Sequence, residues 1–228
     1  MTIITDLLDL LLPRTCCGCN TVLTTNEEYL CTKCMINLPR TRYHKDPDNP
    51  TAQTFWGRTN IQNATSFLHF NKKGTVQHIM HQIKYKDNLE LAIFMGTHAG
   101  HELKCTPFEE VDVIIPVPLH KSRLSKRGYN QSERIAMGIS EILNIPIDNK
   151  SIIRAKSSES QVTKKRYQRW ENVEGIFEVV QPQQIINKHI LLVDDILTTG
   201  ATIEACAQEI LKVEGTKISI FTLAKAKQ

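Results

Sequence analysis

A run of apolar residues followed by two acids and a group of small hydroxyl residues is the part of this sequence best suited to chemistry. Residues 190–193 are apolar without a polar break, which is typical of a buried parallel strand, and residues 203–213 have helical spacing. Asp194 and Asp195 stand at the predicted end of the strand. The residues between these acids and the helix include Thr198, Thr199, Gly200, Ala201 and Thr202.

Such a strand, loop and helix junction is suited to binding a phosphate group, because free backbone N–H groups and the positive end of the helix dipole meet there. The small and hydroxyl residues at 198–202 fit this role. Two carboxylates would repel a phosphate, so we expect Asp194 and Asp195 to face hydroxyl donors or a divalent cation. The pattern predicts a ribose 5-phosphate site; an ordinary turn with a threonine as helix N-cap is the alternative.

These residues resemble the signature of type I phosphoribosyltransferases, which bind 5-phosphoribosyl-1-diphosphate (PRPP). The resemblance implies that Asp194 and Asp195 hold the ribose hydroxyls, that residues 198–202 hold the 5-phosphate, and that Mg²⁺ accompanies PRPP. In a catalytic member a nitrogen nucleophile would displace diphosphate from C1, which needs positioning and charge stabilisation rather than a covalent nucleophile. On this interpretation the catalytic residues are Asp194, Asp195 and Arg127.

A second predicted strand leads into a basic segment. Residues 111–118 are mostly apolar, and two prolines end the strand in an extended loop before a helix predicted over 132–143. A basic loop at the carboxyl end of a strand belongs in the ligand crevice of an open α/β sheet. The resemblance implies that this loop contacts the diphosphate, and a solvated basic loop is the alternative. The loop residues assigned to the diphosphate are Pro118, Lys121, Arg123 and Arg127.

Five of the seven cysteines fall between positions 16 and 34. Cys16 and Cys19 form one C-x-x-C pair and Cys31 and Cys34 another, the spacing of a closed tetrahedral zinc site. We expect a structural zinc ion, because so short a ribbon has few apolar residues with which to fold. Cys17 lacks the spacing and is left out. Disulfides, unpaired thiols and an iron–sulfur cluster are the alternatives.

The order of these features resembles the ComF family, whose members are linked to competence and DNA uptake. The features are the four-cysteine N-terminus, residues 117–120, Arg123, residues 127–131 and the loop after the two acids. The long, polar and charged segment 156–175 is a candidate lid, and type I phosphoribosyltransferases carry a mobile loop at this point. The lid residues are Gln161, Lys164, Arg169 and Asn172.

With 228 residues and 41% hydrophobic content, the chain suits one α/β domain with a small extra module. We predict an N-terminal helix and zinc ribbon over 1–45 and a linker, rich in proline and polar residues, over 46–62. The resemblance implies a type I phosphoribosyltransferase-like domain over 63–228, with a mostly parallel sheet flanked by helices.

The apolar segment near the N-terminus lacks the features of a secretory signal, because Asp6 and Asp9 interrupt it and no basic residue precedes it. No run is long enough to span a bilayer. We therefore expect a cytoplasmic protein with residues 3–12 as a helix packed on its own domain; a peripheral position at the inner membrane is the alternative.

Two functions stay open from the sequence. The first is a ComF-like protein that binds PRPP with Mg²⁺ and transfers the phosphoribosyl group to a nitrogen acceptor in DNA uptake. The second is a non-catalytic single-stranded DNA-binding or adaptor protein that uses the basic crevice and docks a competence ATPase or helicase. The net charge of +4 permits both, and no residue identifies the acceptor.

Overall fold

The computed structural model describes residues 13–85, 88–155 and 175–226. A four-stranded parallel sheet with the strand order β1-β6-β5-β2 lies at its centre. These strands are β1 (Asn63–Phe70), β2 (Val113–Pro116), β5 (His189–Leu197) and β6 (Lys217–Ala226). Two short strands, β3 (Ile152–Arg154) and β4 (Phe177–Val179), form a separate antiparallel pair.

Helices cover both faces of the sheet. They are α1 (Thr32–Ile36), α2 (Pro50–Gln53), α3 (Thr75–Tyr85), α4 (Leu89–Leu103), α5 (Lys121–Arg127), α6 (Gln131–Leu143) and α7 (Ala201–Ile210). Short 3-10 turns lie at Tyr43–Lys45, Pro107–Glu110 and Pro182–Gln184.

Strand β5 is buried on both faces, as its apolar run predicts. Leu191 and Val193 belong to one hydrophobic core with residues of α3, α4 and α6. Ile190 and Leu192 belong to a second core with residues of α2 and α7. Because successive side chains of a strand point to opposite faces, each face of β5 has its own helical layer. The predicted α/β class, with a mostly parallel sheet flanked by helices, is confirmed.

Helices α4 and α6 approach each other closely through glycines. A Cβ atom at Gly96 would lie 2.2 Å from the carbonyl oxygen of Ile135, and one at Gly138 would lie 2.2 Å from that of Ile93. Helix α6 also contacts β2 and β5. The glycine contacts therefore fix the position of α6 over the part of the sheet where the two acids lie.

Residues 46–62, which the sequence indicates as a linker, are packed on the sheet. Asn49 caps α2 and also donates a hydrogen bond to the carbonyl oxygen of Ala64 in β1 at 2.7 Å. Phe55 is fully buried in the second core. The polar and proline residues that indicate a linker here serve as the N-cap and first turn of a helix. The domain boundaries stay a prediction.

The basic segment after β2 is a helix rather than the predicted loop. His120 caps the N-terminus of α5 by accepting a hydrogen bond from the backbone N–H of Ser122, and Gly128, with a φ of 79°, ends the helix. A histidine N-cap and a C-terminal glycine with positive φ predict a helix only weakly when the segment between them is short and mostly charged.

Two predicted segments lie outside the described residues. The first is the N-terminal helix over 3–12. The second is 156–174, which contains the proposed lid residues Gln161, Lys164, Arg169 and Asn172. Strands β3 and β4 flank this second segment, so it leaves from an antiparallel pair instead of from two strands of the central sheet. Among the helices of the described ranges, none is long and apolar enough to cross a membrane.

We expect Gly138→Ala to lower the free energy of unfolding by about 2 kcal/mol, because the added Cβ would overlap the α4 backbone. This cost exceeds the gain of about 1 kcal/mol from the better helix propensity of alanine. Urea unfolding measures the change. The matched control is Gly74→Ala, where the nearest atom to the added Cβ is 3.6 Å away. Equal unfolding midpoints for the two variants would contradict the close contact of α4 and α6.

Candidate functional site

The two acids lie at the carboxyl edge of the sheet, where one strand ends before its neighbour. The last residue of β2, Pro116, pairs with Val193, whereas β5 continues to Leu197. Asp194 and Asp195 therefore extend past the end of β2. In open α/β sheets the crevice beyond the carboxyl ends of the strands is where ligands bind.

Asp194 is held by two hydrogen bonds to the same carboxylate oxygen. Ser132 Oγ, in the first turn of α6, donates to Oδ1 at 2.9 Å, and the backbone N–H of Asp195 donates to Oδ1 at 2.9 Å. Burial, and next the negative charge of Asp195, raise the pKa of Asp194 to about 7, against the opposing effect of these hydrogen bonds and of Lys84. Near neutral pH this carboxyl group is therefore present in both protonation states.

Asp195 is held differently, by a cation. Lys84 Nζ, in the last turn of α3, lies 3.0 Å from Asp195 Oδ2. Both side chains are largely buried, so solvent screens this ion pair less than a surface pair. Within the described residues Asp194 Oδ2 and Asp195 Oδ1 accept no hydrogen bond. One oxygen of each carboxylate is thus available to a hydroxyl group, or to Mg²⁺, which prefers oxygen ligands.

Loop 198–202 turns the chain from β5 into α7 with a glycine at its tightest point. Gly200 has a φ of 82°, and a Cβ there would lie 3.1 Å from Thr54 Cγ2 and 3.2 Å from Phe55 Cε1. The position thus requires glycine for its backbone conformation and for its packing. Thr198, Thr199, Ala201 and Thr202 are exposed around it. The first backbone N–H groups of α7 lack intrahelical acceptors, as in every helix, and lie at this exposed end.

Arg58 ties the loop to the packed segment before β1. Its guanidinium donates to the carbonyl oxygen of Thr199 at 3.0 Å and to that of Thr54 at 3.1 Å. It also forms an ion pair with Glu204 in the first turn of α7. Segment 54–58 therefore packs against the predicted phosphate loop and stabilises its position.

The proposed diphosphate residues divide between the crevice and the supporting structure. Pro118 and Lys121 line a cavity of about 310 Å³ beside the end of β2. Arg127 stacks instead on Tyr85, with its Cζ 5.7 Å from the ring centre. Arg123 is half-buried on the same helix. The roles of Pro118, Lys121, Arg123 and Arg127 stay predictions.

The residues after Arg127 join the elements around the acids. The Tyr129 hydroxyl donates to the carbonyl oxygen of Ile83, next to Lys84. Asn130 donates to the carbonyl oxygen of Val117 at 3.0 Å and caps α6. This segment thereby connects the end of β2 to α3 and α6, the two helices that carry Lys84 and Ser132.

Arg154 is a cation that the sequence analysis missed. It lines the 310 Å³ cavity, its Cζ lies 5.3 Å from the centre of the Phe177 ring, and its buried Nε has no hydrogen-bond partner among the described residues. Burial lowers the pKa of Arg154, and the charge of Arg123 lowers it further, whereas the charge of Asp194 acts in the opposite direction. Arg154 therefore adds a positive charge to the wall of this cavity.

Lys84 and Ser132 were missed as well, for different reasons. Lys84 reaches Asp195 from a helix that is 111 positions earlier in the chain (195 − 84), and no local pattern relates the two. Ser132 offered a usable signal, because it opens the helix after β2 and therefore lies at the same edge of the sheet as Asp194.

The four predicted cysteine ligands lie together. The sulfur atoms of Cys16, Cys19, Cys31 and Cys34 are all within 4.8 Å of one another. The distance of 3.7 Å between the sulfurs of Cys19 and Cys31 matches the spacing of about 3.8 Å that four ligands 2.3 Å from a tetrahedral zinc ion would have. The cluster can therefore hold a metal ion such as zinc.

The excluded cysteine, Cys17, has another environment. It accepts a hydrogen bond from Asn88 Nδ2 at 3.4 Å and lies outside the cluster. By contrast, Cys16 Sγ accepts from the backbone N–H of Cys31 at 3.2 Å and of Gly18 at 3.4 Å. Such N–H donors stabilise thiolates, the form in which cysteine binds zinc. The structure thus brings Cys16, and not Cys17, together with the other three cysteines.

We expect Cys16→Ser to release zinc from the purified chain and to lower the free energy of unfolding by roughly 3 kcal/mol or more, because metal binding to this cluster is part of the folding free energy. Metal analysis and urea unfolding measure both effects. Cys105→Ser, an exposed cysteine outside the cluster, is the matched control and should retain zinc. Zinc content unchanged by Cys16→Ser would exclude this ligand set.

Asp194→Asn should become more stable relative to the wild type as the pH rises. A folded-state pKa raised from 3.8 to about 7 gives the wild type a contribution to stability that is full below about pH 4 and is lost as the pH rises to about 7. Across that window the difference in unfolding free energy should shift toward the variant by roughly 2–4 kcal/mol. Urea unfolding at several pH values measures it, and a pH-independent difference would contradict the raised pKa.

Comparison with known proteins finds relatives for much of the chain. The family model of the phosphoribosyl transferase domain matches residues 129–228. DNA utilization protein YhgH of Escherichia coli O157:H7 is 28% identical over 151 residues, which cover 64% of this chain and 66% of that protein. Competence protein F of Haemophilus influenzae is 32% identical over 127 residues, or 55% of this chain and 53% of that protein.

Competence protein ComFC of Bacillus subtilis is 35% identical over 115 residues, which cover 50% of this chain and 45% of that protein. The matches thus span about half to two thirds of the relatives' own lengths. Together with the four-cysteine cluster, these matches fit a ComF-like protein with a phosphoribosyl transferase domain.

Proposed function

We propose that this chain binds PRPP with Mg²⁺ at the carboxyl edge of its sheet and serves DNA uptake. One observation carries the first part: the Asp194–Asp195 pair extends past β2 and is followed by a glycine turn and the exposed N-terminus of α7. The printed names of the relatives, competence protein F, ComFC and DNA utilization protein, support the second part.

In this proposal the three parts of PRPP meet three different environments. The ribose hydroxyls donate to the carboxylate oxygens of Asp194 and Asp195 that accept no hydrogen bond from the described residues. The 5-phosphate accepts hydrogen bonds from loop 198–202 and from the first N–H groups of α7. The diphosphate lies toward the cavity beside β2, where Lys121 and Arg154 supply positive charge.

Transfer of the phosphoribosyl group would follow from the same arrangement. The bond between C1 and the diphosphate oxygen breaks, and a nitrogen nucleophile forms the new bond to C1. The sugar carries positive charge in the transition state between these two bonding arrangements. The carboxylates near the sugar stabilise that charge, and the cations beside β2 stabilise the departing diphosphate. Bound Mg²⁺ would add positive charge at the diphosphate.

A second candidate, single-stranded DNA binding, is favoured by the outer surface of α5. Lys121 and Lys126 are exposed there, and the exposed ring of Tyr85 lies beside Arg127. Exposed cations next to an aromatic ring can contact phosphates and stack a base. An adaptor role that docks a competence ATPase or helicase also remains a proposal.

Thermal unfolding with PRPP and Mg²⁺, run beside a short oligonucleotide, separates the two functions. PRPP at 100 times its Kd should stabilise the wild type by about 2.7 kcal/mol. Asp195→Asn should abolish this effect, because it removes a carboxylate that accepts the ribose hydroxyls. Asp112→Asn, at the opposite edge of the same sheet, is the matched control and should keep it.

The outcomes are distinct. Stabilisation by the oligonucleotide alone, with an affinity that falls steeply as salt is added, would favour the DNA-binding function. PRPP stabilisation that survives in Asp195→Asn would refute the proposed ribose site.

A further inference from the structure

The side chain of Lys225 is a buried cation that has no acidic partner among the described residues. Lys225 lies near the end of β6, is 9% exposed and donates a hydrogen bond to Thr54 Oγ1 at 2.9 Å. Among the described residues no carboxylate lies within 4.0 Å of its Nζ. Burial lowers the pKa of Lys225. A buried ammonium group without a counter-ion is costly, and such groups in proteins are usually paired.

This side chain opens onto a cavity. The cavity has a volume of about 490 Å³, within the range of small-molecule sites. It is lined by Tyr43, Pro50, Gln53, Thr54, His69, Lys225 and Ala226. None of these lining residues is acidic, so the described chain provides donors and a cation here but no negative charge.

Two of the residues that line the cavity are aromatic. The rings of Tyr43 and His69 lie 5.5 Å apart, edge to face at 89°. Burial raises the pKa of Tyr43, so its hydroxyl stays protonated and can donate. An ammonium group has three donors, of which Thr54 uses one. The cavity thus combines aromatic surface with hydrogen-bond donors around one charge.

The cavity adjoins the predicted phosphate loop and is separate from the acids. Lys225 pairs in the sheet with Leu197, the residue directly before the loop, and with His69 on its other side. Thr54, which accepts from Lys225, also packs against Gly200. Asp194 and Asp195 bind their partners on α6 and α3 instead.

We propose that this cavity is a second ligand site, which binds the carboxylate or phosphate of a small organic anion through Lys225 and packs its organic part against Tyr43 and His69. The cavity and the contacts of Lys225 that define this site do not depend on PRPP. Its place beside loop 198–202 suits the second substrate of a transferase, and that assignment rests on the proposed function.

Benzoate and benzamide test the site, because they share a ring and differ in charge. The full chain without PRPP should bind benzoate at least tenfold more tightly than benzamide in calorimetry, since hydrogen bonds to a charged group are the strong ones. Lys225→Met should remove this preference. Lys217→Met, an exposed lysine at the other end of β6, is the matched control and should retain it. Phenyl phosphate in place of benzoate tells a phosphate site from a carboxylate site.

Two further measurements keep the test independent of folding. In the wild type, benzoate and not benzamide should shift the NMR signals of the Tyr43 and His69 rings. Lys225→Met should unfold at a urea concentration no lower than the wild type, because it removes a buried charge. Equal affinity for benzoate in the wild type and Lys225→Met, or no ring shifts in the wild type, would overturn the site. PRPP binding, lost in Asp195→Asn, should persist in Lys225→Met, so the two proposals fail separately.

Discussion

The unequal length of two neighbouring strands is the constraint on which the site depends. Val117 still donates a hydrogen bond to the carbonyl oxygen of Val193 at 2.8 Å. The next pair of the ladder is not made, because the carbonyl oxygen of Val117 accepts from Asn130 Nδ2 and the backbone N–H of Asp195 donates to Asp194 Oδ1. Strand β2 therefore stops while β5 and β6 continue together to Leu197 and Lys225. The gap leaves two acids beyond the end of β2, on a strand whose apolar residues are buried on both faces.

Charge around this gap is balanced by elements from distant parts of the chain. Helix α3 supplies Lys84 at its C-terminal end, and the cysteine ribbon packs on the opposite end of the same helix. His78 Nδ1 is 3.0 Å from the carbonyl oxygen of Gly18, and a Cβ at Gly18 would lie 2.6 Å from Thr75 Cγ2. The ribbon also contributes Leu23, Leu30 and Cys34 to the first core. The ribbon therefore supports the helix that neutralises Asp195, in addition to closing around its own cluster.

Features that depend on neighbouring residues could be predicted from the sequence. The apolar run before Asp194 indicated a buried parallel strand, and the two C-x-x-C pairs indicated four cysteines around one point. Both patterns are local, because a strand and a metal knuckle each form within a few residues. Lys84 could not be predicted as the partner of Asp195, since its distant helix meets that acid only when four parallel strands are placed in the order β1-β6-β5-β2.

Composition alone indicated a linker at residues 46–62, but this segment packs on the sheet. Prolines and polar residues are frequent in linkers, but the same residues start and cap short helices, and only burial tells the two uses apart. Here Phe55 inserts into the second core and brings Thr54 and Arg58 to the back of loop 198–202. This packing adds to the preference for glycine that the positive φ of Gly200 sets, since a Cβ there would lie 3.2 Å from Phe55 Cε1. The segment thus shapes the phosphate loop on one side and, through Thr54, the cavity of Lys225 on the other.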